Sequence, residues 1–192
     1  EPAPTEQLGT PPMVTVLRYE NSLRDLVNVS APTIFLAGPT VRGNQTHLTS
    51  WRFAAIEEFE QQGFTGTLIV PEFTSRTESD KGKLWIPKWE FAGLTGCDCI
   101  LFWIPRTKEL IGLTTNHEMG YWLARNRRKL VYGRPNDSYR NAYLDVMWEI
   151  DYEEGENSTY LPIQETLAQT ISESIKLATQ MLRSNREPLR IS

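Results

Sequence analysis

Short apolar runs alternate along this chain with longer segments whose apolar residues recur at helical spacing. Thr33 to Ala37 stops at Gly38-Pro39, Thr67 to Val70 at Pro71, Cys99 to Ile104 at Pro105, and Lys129 to Tyr132 at Gly133. Each run is too short for a helix and is closed by turn-forming residues, so each is predicted to be a strand. Val14 to Tyr19 is predicted to be an edge strand. Helices are expected over Trp51 to Gln62, with Ser50 as N-cap and Gly63 as stop, and over Trp85 to Leu94, where Pro87 suits a first turn. Asn116 to Asn126 and Ser138 to Trp148 are also expected to be helical, and Leu167, Ile171, Ile175, Ala178 and Leu182 form the apolar stripe of a last long helix.

Strand runs that are apolar on both faces, alternating with helices, call for a parallel sheet covered on both sides. The expected fold class is therefore α/β, a doubly wound parallel sheet in one domain. Such sheets bind ligands beyond the carboxyl ends of their strands, where the strand order reverses. That rule directs attention to Gly38 to Arg42, Pro71 to Phe73, Pro105 to Glu118 and Gly133 to Asn136.

With 192 residues the chain can build one sizeable core but not two ordinary domains. Residues 1–12 carry four prolines and little apolar surface, and are expected to be a disordered tail before a domain spanning 13–192. Their sequence has no basic start and no apolar centre, unlike a signal peptide. No stretch approaches the roughly 18–20 apolar residues of a membrane span. The net charge of −4 supplies no global field for a polynucleotide. Cys97 and Cys99 are expected to be buried, reduced thiols on one packed side of a strand, and His47 and His117 are the sole histidines. No metal site or cofactor is expected, and the default location is the cytoplasm.

Thr115 to Glu118 fits the Thr-x-x-Glu pattern of a capping box, in which Glu118 would satisfy only backbone N–H groups. The same geometry has a chemical reading. A carboxylate in a first helical turn sits at the positive end of the helix dipole, stays ionised, and at the ligand edge of a sheet could attack an anomeric carbon. A departing nucleobase needs a proton or hydrogen bond at a ring atom, for which Glu90 is the first candidate and Glu72 a weaker one. Gly38 to Gly43 lacks the spacing of a dinucleotide or phosphate loop but could cup a sugar, with Arg42 as an anion partner. Trp51, Trp85 and Trp89 border the expected cleft.

The chain resembles the nucleoside 2-deoxyribosyltransferase family. The resemblance lies in Ile34-Phe-Leu-Ala-Gly-Pro-Thr40, Ser50-Trp-Arg52, Val70-Pro-Glu72, Trp89-Glu90, Phe102-Trp-Ile-Pro-Arg106 and Thr114-Thr-Asn-His-Glu-Met-Gly120, and spans roughly residues 33 to 150. It implies a flavodoxin-like sheet and a ping-pong base exchange. The covalent nucleophile falls on Glu118 and the acid near the base on Glu90. Phe35, Gly38, Pro39, Thr40, Arg42, Glu72, Trp89 and Asn116 are then expected around the substrate. The resemblance also implies a homo-oligomer, dimer or hexamer, whose subunits complete each other's sugar pockets through Asn141 and Tyr143. Two departures stand out. Phe35 occupies the place of a Tyr that orients the nucleophile in many relatives, so a looser hold on the sugar 2′ position is expected. The loop Gly112 to Asn116 lacks the Asp that relatives place there. Rival readings are an N-glycosidase acting on nucleosides or nucleoside monophosphates, whose family Asp151-Tyr-Glu-Glu-Gly-Glu156 resembles, and a non-catalytic nucleotide-binding domain on the same fold.

Overall fold

The computed structural model describes residues 14–29, 31–75, 84–154 and 161–186. The tail expected over residues 1–12 lies outside them, as do much of the polar loop after the third strand and residues 155 and 156 of the acidic segment.

Five strands form one parallel sheet: β1 (Thr15–Leu17), β2 (Thr33–Ala37), β3 (Thr67–Ile69), β4 (Cys99–Trp103) and β5 (Leu130–Gly133). Their spatial order is β1-β3-β2-β4-β5. After β2 the chain moves outward to β3, then crosses back to β4 on the other side, so the order reverses between β2 and β4. The order β3-β2-β4-β5 is flavodoxin-like, with β1 added at one edge as the sequence predicts. The helices are α1 (Leu23–Val27), α2 (Trp51–Gln61), α3 (Trp85–Gly96), α4 (Leu113–Asn126), α5 (Ala142–Glu154) and α6 (Leu167–Arg186). The short α1 escaped the hydrophobic pattern, although Ser22 and Asp25 form a reciprocal capping box.

The central strands are buried on both faces because each face meets its own helical layer. Phe35, Ala37, Ile100 and Phe102 join a core with Leu26, Trp89, Met119, Trp122, Leu144 and Trp148 of α1, α3, α4 and α5. Ile34, Leu36, Cys99 and Leu101 join a second core with Trp51, Ala55 and Phe59 of α2 and Ile171 and Ala178 of α6. This division corrects the expectation for the thiols. Cys97 is not in the strand but caps the C-terminus of α3, so it enters the first core while Cys99 enters the second. Both are free and buried. At the amino edge of the sheet, Asp98 ties β4 to β2 by accepting from the Thr33 backbone N–H and hydroxyl, each at 2.8 Å. Buried Lys129 donates to the carbonyls of Leu94 (2.6 Å) and Cys97 (3.2 Å), closing the C-terminal end of α3.

No helix among the described residues is long and apolar enough to cross a membrane.

Candidate active site

The reversal between β2 and β4 brings together the loops that follow those strands. Gly38 has φ +154°, and a Cβ there would lie 2.2 Å from the Trp103 carbonyl oxygen, so only glycine lets β2 end this close to β4. Gly112, at φ +63°, starts α4, and a Cβ on it would press into the Pro39 ring at 2.8 Å. The Gln45 side chain donates to the Glu109 carbonyl at 2.6 Å, and His47 meets the Glu109 carboxylate, also at 2.6 Å.

The first turn of α2 holds this assembly from below. Trp51 Nε1 donates to the Pro39 carbonyl at 3.0 Å. Arg52 is only 1% exposed, and donates to the carbonyls of Leu36 (2.9 Å), Gly38 (2.9 Å) and Pro39 (3.4 Å), to Thr40 Oγ1 (3.2 Å) and to Glu72 Oε1 (2.7 Å). Ser50 Oγ adds hydrogen bonds of 2.8 Å to the Glu72 carboxylate. A buried cation is tolerable only when paired and fully hydrogen-bonded, and Glu72 with three backbone carbonyls meets that condition.

Beside this frame, between α3 and α4, lies a pocket of about 250 Å³ lined by Glu90, Phe91, His117, Glu118, Tyr121 and Trp122, together with Pro87 and Leu94. It is just below the roughly 300–1,000 Å³ of pockets for drug-sized ligands, which suits a small heterocycle. Glu90 accepts a hydrogen bond from the Tyr19 hydroxyl. Among the described residues no hydrogen bond holds the Glu118 carboxylate. Burial, and then the neighbouring Glu90, push Glu118 up to about 7, with Arg52 opposing. Burial also raises Glu90, while the Tyr19 hydrogen bond and Arg52 pull it down. Two carboxyl groups that repel each other's ionisation favour a state with one proton between them.

Glu90 and Glu118 thus come together, on helices separated by β4. The other candidates scatter. Phe35 is 1% exposed and its ring packs beneath Gly93 of α3, so it does not reach the pocket surface. Trp89 is fully buried, donating to the Asn21 carbonyl, and Glu72 is held by Ser50 and Arg52. Gly38 and Pro39 are buried, Thr40 is exposed but bonded to Arg52, and Arg42 is exposed on the loop. Asn116 accepts from Arg106 Nη2 at 2.6 Å, which pins the first turn of α4 to the end of β4. Arg106 itself is buried, and a second guanidinium nitrogen donates to the Arg140 carbonyl. The aromatic wall is Phe91, Tyr121 and Trp122 rather than the expected tryptophans.

One expectation needs correction. α4 begins at Leu113, three residues before the predicted start, because Gly112 in its left-handed conformation takes the N-cap position and Thr115 turns into the core. Glu118 is therefore in the second turn and caps nothing. The helix dipole fades beyond the first turn, so burial, not the dipole, governs this carboxylate and raises rather than lowers its affinity for a proton. Asn141 is buried, its amide donating to the Ile104 carbonyl (3.1 Å) and Ser138 Oγ (2.8 Å) of its own chain. Tyr143, at 74% exposed, stays open to solvent.

Sequence reasoning also passed over Tyr19 and the full reach of Arg52. Tyr19 follows β1, so the rule that singles out residues after each strand would have found it had it been applied to the edge strand. A buried arginine among carbonyls has no periodic signature.

The raised Glu118 has a stability consequence. The folded state holds this proton more tightly than the unfolded chain, so between the ordinary 4.5 and about 7 folding is linked to proton uptake and stability falls as pH rises. Glu118→Gln removes the charge at all pH values. It is expected to raise Tm over wild type at pH 8 and to leave it nearly unchanged at pH 4.5, as read by thermal melts. An equal difference at both values would contradict the burial of an ionisable carboxyl here.

Residues 31–136, more than half of the chain, match the family model described as "Nucleoside 2-deoxyribosyltransferase like". The matched span runs from the start of β2 past the end of β5, and so includes Arg52, Glu90 and Glu118. No curated protein matches the chain. Among the described residues no group of three His, Cys, Asp or Glu side chains is placed to hold a metal ion.

Proposed function

The chain belongs to the nucleoside 2-deoxyribosyltransferase-like family, and from that premise we propose that it exchanges the nucleobase of a (deoxy)ribonucleoside through a covalent glycosyl ester of Glu118. The observation that carries this reading is the pair Glu90 and Glu118 lining one small pocket with aromatic walls. In the first half-reaction a Glu118 carboxylate oxygen attacks C1′. The C1′–N bond breaks toward the base, and Glu90 delivers its proton to a ring atom of the departing base. In the second, a ring nitrogen of another base attacks C1′ from the vacated face, the C1′–O ester bond breaks to release the Glu118 carboxylate, and the proton from that ring nitrogen passes to Glu90. Two inversions give net retention. The catalytic unit is the single domain 13–192, acting on nucleosides and free nucleobases without a cofactor.

The test incubates the protein with 2′-deoxyinosine, with and without free adenine. Deoxyadenosine formed only when adenine is present supports transfer. Hypoxanthine released at the same rate without adenine makes the protein an N-glycosidase, because water then takes the place of the second base. No turnover leaves a binding domain and ends the enzymatic reading.

Assembly follows from the same reading. Tyr143, Val146 and Ile150 stand exposed along α5 and are proposed to face a second copy. A monomer in sedimentation would remove that interface.

A further inference from the structure

Tyr19 lies outside the span that matches the family, yet its hydroxyl reaches one of the two pocket carboxylates. We propose that Tyr19 is a positioning residue for the general acid: by donating to Glu90 Oε1 it confines the transferable proton of Glu90 to Oε2 and fixes the orientation of the carboxyl group. The inference rests on the transferase reading and adds to it the part of the machine that controls the leaving group.

The fold gives Tyr19 little freedom. It sits just past β1, where its backbone N–H donates to the Glu72 carbonyl at 3.2 Å and so locks it to the segment after β3. Its ring is wedged between Phe73, with centroids 4.9 Å apart, and the edge of Trp89 at 5.1 Å. Trp89 precedes Glu90 on α3, so one packing unit sets both the phenol and the carboxyl group. Burial and the nearby Glu90 carboxyl raise the Tyr19 phenol well above its ordinary value, so it remains a donor throughout.

A protonated carboxyl group has one O–H and one carbonyl oxygen. With Tyr19 donating to Oε1, the proton belongs on Oε2, which makes no protein hydrogen bond among the described residues. As the C1′–N bond breaks, its electron pair goes to the base and the Oε2 proton follows to a ring nitrogen. Glu90 is left as a carboxylate. The Tyr19 hydrogen bond then becomes charge-assisted and strengthens, so it favours the proton's departure more than the ground state. When the incoming base attacks, its ring N–H proton returns to Oε2. The charged or titratable groups around Glu90 are Tyr19 from the end of β1, Arg52 from α2, and Glu118, His117 and Tyr121 from α4, which line the same pocket. Removing the hydroxyl takes away one of the two influences that hold Glu90 down and leaves Arg52.

Tyr19→Phe deletes the hydroxyl and keeps the ring between Phe73 and Trp89. With 2′-deoxyinosine, kcat is expected to fall about ten- to a hundredfold, part of the roughly 10²–10⁴ that acid catalysis contributes, with KM little changed. The basic limb of the pH profile moves to higher pH, because losing a donor to the ionised form raises Glu90. With an N7-methylated deoxypurine nucleoside the base leaves without needing a proton, and the variant is expected to match wild type within about twofold. In a Glu90→Gln background, which keeps an acceptor but no acid, Tyr19→Phe is expected to cost nothing further. An equal loss on both substrates, an unmoved basic limb, or an undiminished effect in the Glu90→Gln background would each overturn the proposal while leaving the transferase reading standing. A wild type inert on both substrates would overturn the transferase reading and this proposal together.

Discussion

Glu118→Ala is expected to abolish base exchange without disturbing the fold. A nucleophile that forms the covalent intermediate cannot be bypassed by binding alone, so the rate falls by several orders of magnitude. Retention of more than about a tenth of wild-type transfer would contradict the covalent role. The fold survives because no hydrogen bond among the described residues depends on the Glu118 side chain, and truncation relieves a carboxyl group whose burial opposes its charge. The far-UV spectrum and Tm should therefore match or exceed those of wild type at pH 8. Wild type incubated with a deoxynucleoside and no acceptor base should gain the mass of a deoxyribosyl group, and Glu118→Ala should not. The wild-type rate should also rise with pH through about 7 as the carboxyl ionises. Glu90→Gln should shift that limb downward, since the like-charged neighbour is the second cause of the elevation.

Arg52 is expected to give the largest loss of stability. Arg52→Leu removes a cation that binds three backbone carbonyls, Thr40 and Glu72. It leaves the Glu72 carboxylate, 8% exposed, with Ser50 as its remaining partner among the described residues. Breaking one side of a buried pair costs about 3–5 kcal/mol, a large share of the roughly 5–15 kcal/mol that holds a domain together. Denaturant titration measures this directly. The double variant Arg52→Leu/Glu72→Leu should recover much of that loss, because no charge is then stranded. Activity should not return with stability. The carbonyls of Leu36, Gly38 and Pro39 would still lack their donor, and the cation that favours ionisation of Glu90 and Glu118 would still be missing. A double variant that regains both stability and full activity would reduce Arg52 to a structural ion pair.

Much of this architecture was legible in one dimension. Runs such as Thr33 to Ala37 and Cys99 to Ile104 are apolar at every position, which only a strand covered on both faces requires. Glycine and proline marked their ends, and the alternation with helices implied a parallel sheet with its ligand edge at the carboxyl ends. Glu90 and Glu118, which line one pocket, could be singled out as candidates because motif spacing relative to the strands is itself a one-dimensional quantity. Boundaries were less secure where local signals competed. Thr115 to Glu118 reads locally as a capping box, but burial of Thr115 and the backbone freedom of Gly112 moved the helix start three residues upstream.

What the sequence by itself determined is the class of fold, and it singled out Glu90 and Glu118 as candidates; what only the tertiary structure decided is their environment. Proton affinity depends on desolvation and on charges brought close by crossovers, such as Tyr19 reaching Glu90 from 71 residues away. Whether a polar residue faces ligand or core is likewise a three-dimensional property. Glu72, Asn141 and Arg52 are as polar in sequence as Arg42, yet they are buried inside networks that shape the loops, while Arg42 stands in solvent. Periodicity records which faces are apolar. It carries no record of which buried polar groups will meet, because those meetings are set by helices and strands from distant parts of the chain packing together.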